Sequence, residues 1–454
     1  MNKLYRFSAI ALSVLPLLFT SCSDYLDRDD DDNITEADVF ARYEKVNGLV
    51  SDVYAKAKKA DRPLVFFEHF SNSAITDECE GTNVEGNITN NFNNGAWNPN
   101  SLPGSCGQYW ESIYEGIRKA NLIIENVAKY NTPDNPQQDG DLRNRIGEMY
   151  FMRGYFHMLL VRMYGEAPYI DRVINAGDNM DFKKESVHSM VEKIVADART
   201  AYEMVPNKYV KTSENFGRVD KGACLGLVAF VRWMAATPLW NGASQYGYNQ
   251  RRVFENEYVY DANRWRRAKE AAKAVLDFEV GGTKRYYLYE KHDANDFKDP
   301  ADGNLNDSRV YARLWDMFYD MDAFANEYVF FMTKSKDQAW QGDIYPPSRE
   351  GSSRQQPVQE QVDEYEFIVG DYGYPVYSAE ARKGGYDDTN PYVKGTRDPR
   401  FYRDILYHGA PYRNNKNESK TVNTASGSDK IGATNATTTG YYLRKFQQES
   451  WNKS

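Results

Sequence analysis

The chain has 454 residues, of which 41% are hydrophobic and 27% charged, and its formal charge is −9 at pH 7. An acidic balance argues against nucleic-acid binding, which needs basic patches, and against electrostatic attachment to anionic lipid. The hydrophobic fraction suffices for a core, while a mean hydropathy of −0.73 points to a polar surface with long loops.

In chain order, Lys3 and Arg6 precede an apolar run from Phe7 to Phe19. The run is shorter than the ~20 residues of a membrane-spanning helix and has the length and flanks of a secretory signal. Phe19, Thr20 and Ser21 then lead into Cys22, an arrangement similar to a bacterial lipobox with Leu18 one step further back than usual. Residues 1–21 are therefore read as a lipoprotein signal peptide, and Cys22 as the lipid attachment site. Two or more acyl chains anchor stably where one binds only marginally. The competing reading is a secreted chain with a chance cysteine. Removing residues 1–21 takes Lys3 and Arg6 with it and brings the formal charge to −11. Asp24, Asp27 and Asp29 to Asp32 repel one another, so residues 22–36 read as an extended acidic tether. No later apolar run is long enough to span a membrane.

Residues 37–280 carry helical periodicity. In 108–130 the stripe is Trp110, Ile113, Ile117, Ala120, Ile124 and Val127. In 141–170 it is Ile146, Met149, Arg153, Phe156, Leu160 and Met163, with Gly165 suited to a left-handed C-cap and Pro168 blocking continuation. Segments 185–206, 221–236 and 263–278 repeat the pattern, and Asp220 is placed to cap the second of these. Trp110, Trp233 and Trp265 fall on the stripes and are expected in the core. Small residues alternate with aromatics, as in a tetratricopeptide-like stack of divergent units.

Residues 281–454 have a different texture. Segment 290–308 reads as a long turn-rich loop, 327–335 as a strand, and 414–440 as a polar loop. Of the cysteines after Cys22, Cys224 sits in an apolar helical pattern and reads as a buried thiol. Cys79 and Cys106 lie in loop-like sequence, where pairing stays open. There is no HExxH, GxSxG, CxxC or P-loop pattern, and no cofactor or metal is implied. His157, within a helix, reads as a packed, hydrogen-bonded residue. The 293–307 acidic loop lacks EF-hand ligand spacing and reads as solvated.

Several segments, taken in order, resemble the SusD/RagB family of glycan-binding outer-membrane lipoproteins. "SCSDYLD" is similar to its lipidated start. "YWESIYEGIRKANLIIENV" resembles its W-x-x-x-Y-x-x-I-x-x-x-N helix through Trp110, Tyr114, Ile117 and Asn121. "GEMYFMRGYFHMLLVRMYGEAPYI" resembles its hallmark helix, and "GRVDKGACLGLVAFVRWMAA" the helix after it. "NEYVFF", "QPVQEQVDEYEFIVG", "RDPRFYRDILYHG" and "TGYYLRKF" resemble its later motifs. The resemblance implies a mostly α fold: a tetratricopeptide-like helical stack with an irregular loop-rich region and a few short strands. It implies a non-enzymatic protein that binds oligosaccharide at the cell surface and delivers it to a SusC-like TonB-dependent transporter. The acidic stretch after Cys22 likewise resembles a surface-export signal. In the family, further helices follow the segment like "TGYYLRKF", so the resemblance implies a region 281–454 that is incomplete at its C-terminus. Other readings are a surface glycoside hydrolase and a relative that binds peptide or protein cargo.

The candidate sugar contacts are Trp97, in a loop before the first hallmark helix, and Trp340 and Tyr345, beyond the "NEYVFF" segment, with Asn93 and Asp343 to bond hydroxyl edges. A flat aromatic ring can cover the C–H face of a pyranose. The competing reading is that these rings pack loops onto helices.

Overall fold

The computed structural model describes residues 35–61, 71–81, 88–96, 98, 104–130, 139–209, 214–242, 253–289, 317–318, 326–332, 342–393, 395–413 and 418–447. The signal, Cys22 and the tether through residue 34 lie outside the described residues, as do Trp97, Trp340 and the 290–308 loop.

The first region is built from α1 (Glu36–Phe40), α2 (Tyr43–Ala60), the short α3 (Ile88–Asn93), α4 (Gly104–Tyr130), α5 (Asp139–Tyr164), α6 (Val187–Met204), α7 (Lys221–Ala236) and α8 (Ala262–Asp277). Helix α2 packs on α4 and α5, and then α4 on α5, α5 on α6, α6 on α7 and α7 on α8, as in a stack of neighbouring pairs. Their apolar faces bury one continuous cluster that runs from Phe40 to Tyr258. Each fully buried large apolar side chain contributes roughly 1.5–3 kcal/mol.

Local chemistry sets the helix ends. The Asp220 carboxylate accepts from the Ala223 N–H at 3.0 Å and caps α7, as its position in sequence suggests. Gly165 takes φ +74°, and its N–H bonds the Val161 carbonyl at 3.0 Å. A Cβ at Gly116 would lie 2.3 Å from the Phe156 ring, so that glycine sets how closely α4 approaches α5. Helix α5 is buried on all sides from Phe151 to Val161, because it sits between α4 and α6 with α2 beside them.

Three expectations are corrected. Trp233 and Trp265 are 51% and 42% exposed, not in the core, because they lie on outward faces of α7 and α8, the last described pair. An apolar groove of about 550 Å³ lies between α5, α7, α8 and residues 329–330. Residues 327–332 of the expected 327–335 strand pass over α7 with no ladder among the described residues, and 333–335 lie outside them. Phe330 meets Phe151 and Tyr155 at ring distances of 4.9 and 5.4 Å. Val329 presses on Gly226, where a Cβ would lie 2.4 Å from it. Cys106 belongs to the first turns of α4, not to a loop, and Cys79, Cys106 and Cys224 are all unpaired thiols.

Outside the helices the strands are two or three residues long. Among the described residues the ladders are β1 (Cys79–Glu80) with β4 (Gln356–Pro357), β2 (Glu279–Val280) with β3 (Thr283–Lys284), β5 (Phe367–Val369) with β6 (Tyr372–Tyr374), β7 (Ile405–Leu406) with β10 (Tyr442–Leu443), and β8 (Pro411–Arg413) with β9 (Ser419–Thr421), all antiparallel. The expected polar loop over 414–440 thus contains one strand of a hairpin, and its described remainder from 422 is a series of turns. Among the described residues no helix is long and apolar enough to cross a membrane.

Candidate functional site

The residues that carry the sequence resemblance in the stack form one buried polar junction. Arg153 bonds the two carboxylate oxygens of Asp197 at 2.8 and 2.5 Å, and also Asn121 Oδ1 at 3.0 Å and the Asp171 carbonyl at 2.9 Å. Asn121 donates to the Ile170 and Arg172 carbonyls at 3.2 and 3.0 Å, and the Tyr114 hydroxyl to the Pro168 carbonyl at 2.8 Å. His157 donates from Nδ1 to the Arg153 carbonyl at 2.8 Å and accepts from the Ile170 N–H at 3.0 Å, stacked 3.7 Å from Tyr169. Burial holds its pKa down to about 3, so it is a neutral packed residue, as its place in the helix suggests. All these groups tie the 165–172 segment to α4, α5 and α6. They are satisfied internally and leave nothing for a ligand.

The candidate sugar contacts Asn93 and Asp343 lie in loop-built parts of the molecule. Strand β1 pairs with β4 so that Glu80 lies opposite Gln356. Asn93, exposed at the end of α3, donates to the Ala74 carbonyl at 3.1 Å and reaches the Glu80 carboxylate at 3.3 Å. Two residues before Gln356, Arg354 forms an ion pair with Asp343 at 3.2 Å, and its N–H meets the Asp343 carbonyl at 2.6 Å. Asn93 and Asp343, separated by 250 residues of sequence, are thus linked by a run of contacts through Glu80, the β1–β4 pairing at Gln356, and Arg354.

The loops around Asp343 and Gln356 are tied down by buried hydrogen bonds. Gln356, fully buried, accepts from the Thr438 N–H at 2.7 Å and donates to the Ser353 carbonyl at 2.9 Å. Ser348 bonds Asp429 through its N–H at 2.8 Å and through its hydroxyl. Glu350, Ser353 and Asn435 take φ of +60°, +39° and +60°. Left-handed backbone in residues other than glycine costs free energy and persists where surroundings over-determine it, often at ligand sites. Gly351 is required here, since a Cβ would lie 2.0 Å from the Tyr345 carbonyl oxygen.

Tyr345 departs from the expectation of sugar contact. It is 2% exposed, packed with Ile344, Leu443 and Phe446, and the Arg349 guanidinium lies 4.2 Å from its ring centre. The ring supports the loop from within and presents no open face. Glu80, Arg354, Gln356 and Ser348 were not nominated from sequence. Their signal is weak, since Gln356 only opens the "QPVQEQVDEYEF" motif and the rest lie in turn-rich sequence. Among the described residues no group of His, Cys, Asp and Glu has the geometry to hold a metal ion.

Two family models match the chain: one described as starch-binding and associating with the outer membrane, over residues 24–231, and one for the SusD family, over residues 314–454. The chain is 29% identical over 129 residues to SusD-like protein P2 of Formosa agariphila, an alignment that covers 28% of this chain and 24% of that protein. A solved SusD-like protein of Bacteroides fragilis NCTC 9343 superposes with a TM-score of 0.67 at 19% identity, covering 92% of this chain and 71% of the other. A SusD-like carbohydrate-binding protein from the same strain gives 0.63 at 14%, covering 91% and 69%. A laminarin-binding SusD-like protein gives 0.54 at 15%, covering 90% and 73%. At these identities the structures share the mostly helical fold.

Proposed function

We propose that this chain, which belongs to the SusD/RagB family, is a cell-surface lipoprotein that captures oligosaccharide and delivers it to a SusC-like TonB-dependent transporter in the outer membrane. The family's association with carbohydrate and the outer membrane supports the general reading. The observation that carries the specific one is the run of loop contacts that ties Asn93 and Glu80, across the buried β1–β4 pairing, to Arg354 and Asp343. It offers carboxylate and amide groups to hydroxyls, and Trp97 and Trp340 stand within four residues of Asn93 and Asp343 in sequence. In this reading the two indoles cover the apolar faces of the sugar and the polar groups bond its edges. Cys22 carries the lipid, residues 22–36 are the tether, and the protein works as a binder, not an enzyme.

A central aromatic contact contributes ~2 kcal/mol or more, about thirtyfold in Kd. Trp97→Ala or Trp340→Ala should weaken glycan binding at least tenfold in calorimetric titration, with the Tm nearly unchanged. Unaltered affinity in both folded variants removes the two indoles from the site. Cys22→Ala should abolish labelled-palmitate incorporation and release the protein from the outer-membrane fraction.

A further inference from the structure

The last described pair of the stack is apolar where it meets solvent. Phe230 and Trp233, one turn apart on α7, are exposed, and their rings lie 5.8 Å from one another. On α8, Trp265, Ala272 and Leu276 recur at helical spacing on one exposed stripe. The groove of about 550 Å³ lies between these helices, lined by Ala223, Ala229 and Phe230 of α7 and by Ala272 and Leu276 of α8, with Tyr155 of α5 behind. A helical stack closes in water only with a polar outer face on its terminal unit. Here that face is apolar and concave.

Shape and charge select the occupant. A flat bilayer surface leaves a groove unfilled, whereas a rod lined by side chains fills it, and small lining residues let a helix approach closely. Such a helix also takes the next place in the succession from α5 to α8. Helices α7 and α8 carry seven Lys and Arg against two Asp and Glu, on a chain of formal charge −9. Glu192 of α6 and Asp261, the N-cap of α8, lower that excess without cancelling it. Arg266 is answered by Glu270 at 2.7 Å, Lys273 by Asp277, and Arg162 at the groove by Asp61 at 3.5 Å. Lys269, exposed and one turn from both Trp265 and Ala272, has no ion-pair partner among the described residues. A second copy would set the same basic helices against each other, and like charges across an interface disfavour the pair. We propose that the α7–α8 face docks one amphipathic helix of a protein partner, its apolar stripe in the groove and a carboxylate on its flank facing Lys269. This inference is independent of the glycan reading.

The probes are two fluorescein-labelled peptides of about 18 residues, five helical turns. They share one Leu/Ala stripe, and their flanks are all Glu in one and all Lys in the other. Anisotropy titration with the full chain is expected to give a Kd at least tenfold lower for the Glu peptide. Leu276→Ser combined with Trp265→Ala should weaken its binding about tenfold, and Lys269→Glu should narrow the preference between the two peptides. All three side chains are exposed, so the Tm should stay unchanged. Absence of binding by both peptides, equal binding of both, or binding that is indifferent to these variants would overturn the proposal. So would self-association in sedimentation, or attachment to phosphatidylglycerol vesicles, that is lost in the Leu276→Ser, Trp265→Ala variant. The first would assign the face to a second copy and the other to a lipid surface.

Discussion

The buried apolar faces of the stacked helices join in one cluster that runs from Phe40 to Tyr258, whereas those beyond residue 342 divide into clusters of two to five residues. The stack gains stability from contiguous apolar area, which is non-directional and tolerates many sequences. The loop region relies on buried polar groups that each need a specific partner. Arg397, 2% exposed, reaches the Val362 and Tyr365 carbonyls at 2.6 Å each and lies 4.8 Å from the Phe401 ring centre. Arg444 bonds the Tyr402 carbonyl at 3.0 Å, and the Tyr365 hydroxyl meets Asp404 at 2.9 Å. Such bonds add modestly when made, but losing one partner costs the desolvation of the other. The difference suits a division of labour in which the stack is scaffold and the loops, over-determined by polar bonds, hold a surface with left-handed backbone.

The comparison is broken most severely where the stack itself depends on a charge. Arg153→Ala leaves Asp197 buried without its counter-ion and should cost ~3–5 kcal/mol, read as a lower urea midpoint for the whole helical signal. A loss below 1 kcal/mol would mean that the junction is not part of the global unfolding unit. In the loop region, Arg397→Ala should cost about 2–3 kcal/mol, since it orphans two buried carbonyls. Here the effect should be local: hydrogen exchange should speed up over 359–407 and stay unchanged in α5 to α7. Uniform acceleration would show that the two regions unfold together.

Acid sharpens the contrast. Burial lowers His157 to about 3 and, as the largest cause, His188 to about 4, against an ordinary 6.5. Both are neutral when folded and take up protons on unfolding. Their contribution is fully present above about pH 6.5 and is lost as pH falls from there toward the folded values. With ~1.4 kcal/mol per pH unit for each group, a stability loss of about 2 kcal/mol or more is expected at pH 5, and His157→Gln should flatten the slope. Equal urea midpoints at pH 7 and pH 5 would show that these histidines are hydrated. The smallest effect is expected at the open end of the stack. Trp233→Ala and Trp265→Ala should each change stability by less than ~1 kcal/mol, well below Trp110→Ala, because Trp110 packs on Tyr114 and Tyr164 at 4.9 and 5.0 Å.

These particulars also mark how far sequence reaches. Periodicity located α4 to α8 within a few residues, and the Asp220 cap and Gly165 turn stand where their chemistry puts them. Period alone cannot say whether a stripe is covered, which is why Trp233 and Trp265 read as core. Nor can it separate a strand from an extended segment held by Val329 and Phe330, since both show the same apolar run. In the candidate site, Asn93 and Asp343 are legible as loop polar residues, but their connection through Glu80, Gln356 and Arg354 depends on the pairing of Glu80 with Gln356, 276 residues apart. Tyr345 was misjudged because a tyrosine in turn-rich sequence looks the same whether its ring faces solvent or lies beneath a buried arginine.

The division between scaffold and binding loops is tested most directly by hydrogen exchange of the full chain with and without a saturating neutral oligosaccharide. The account predicts slowed exchange in 72–80, 90–98 and 342–358, with the buried helices α4 to α6 unchanged. Protection confined to α4, α5 and α6, with those loops unaffected, would contradict it.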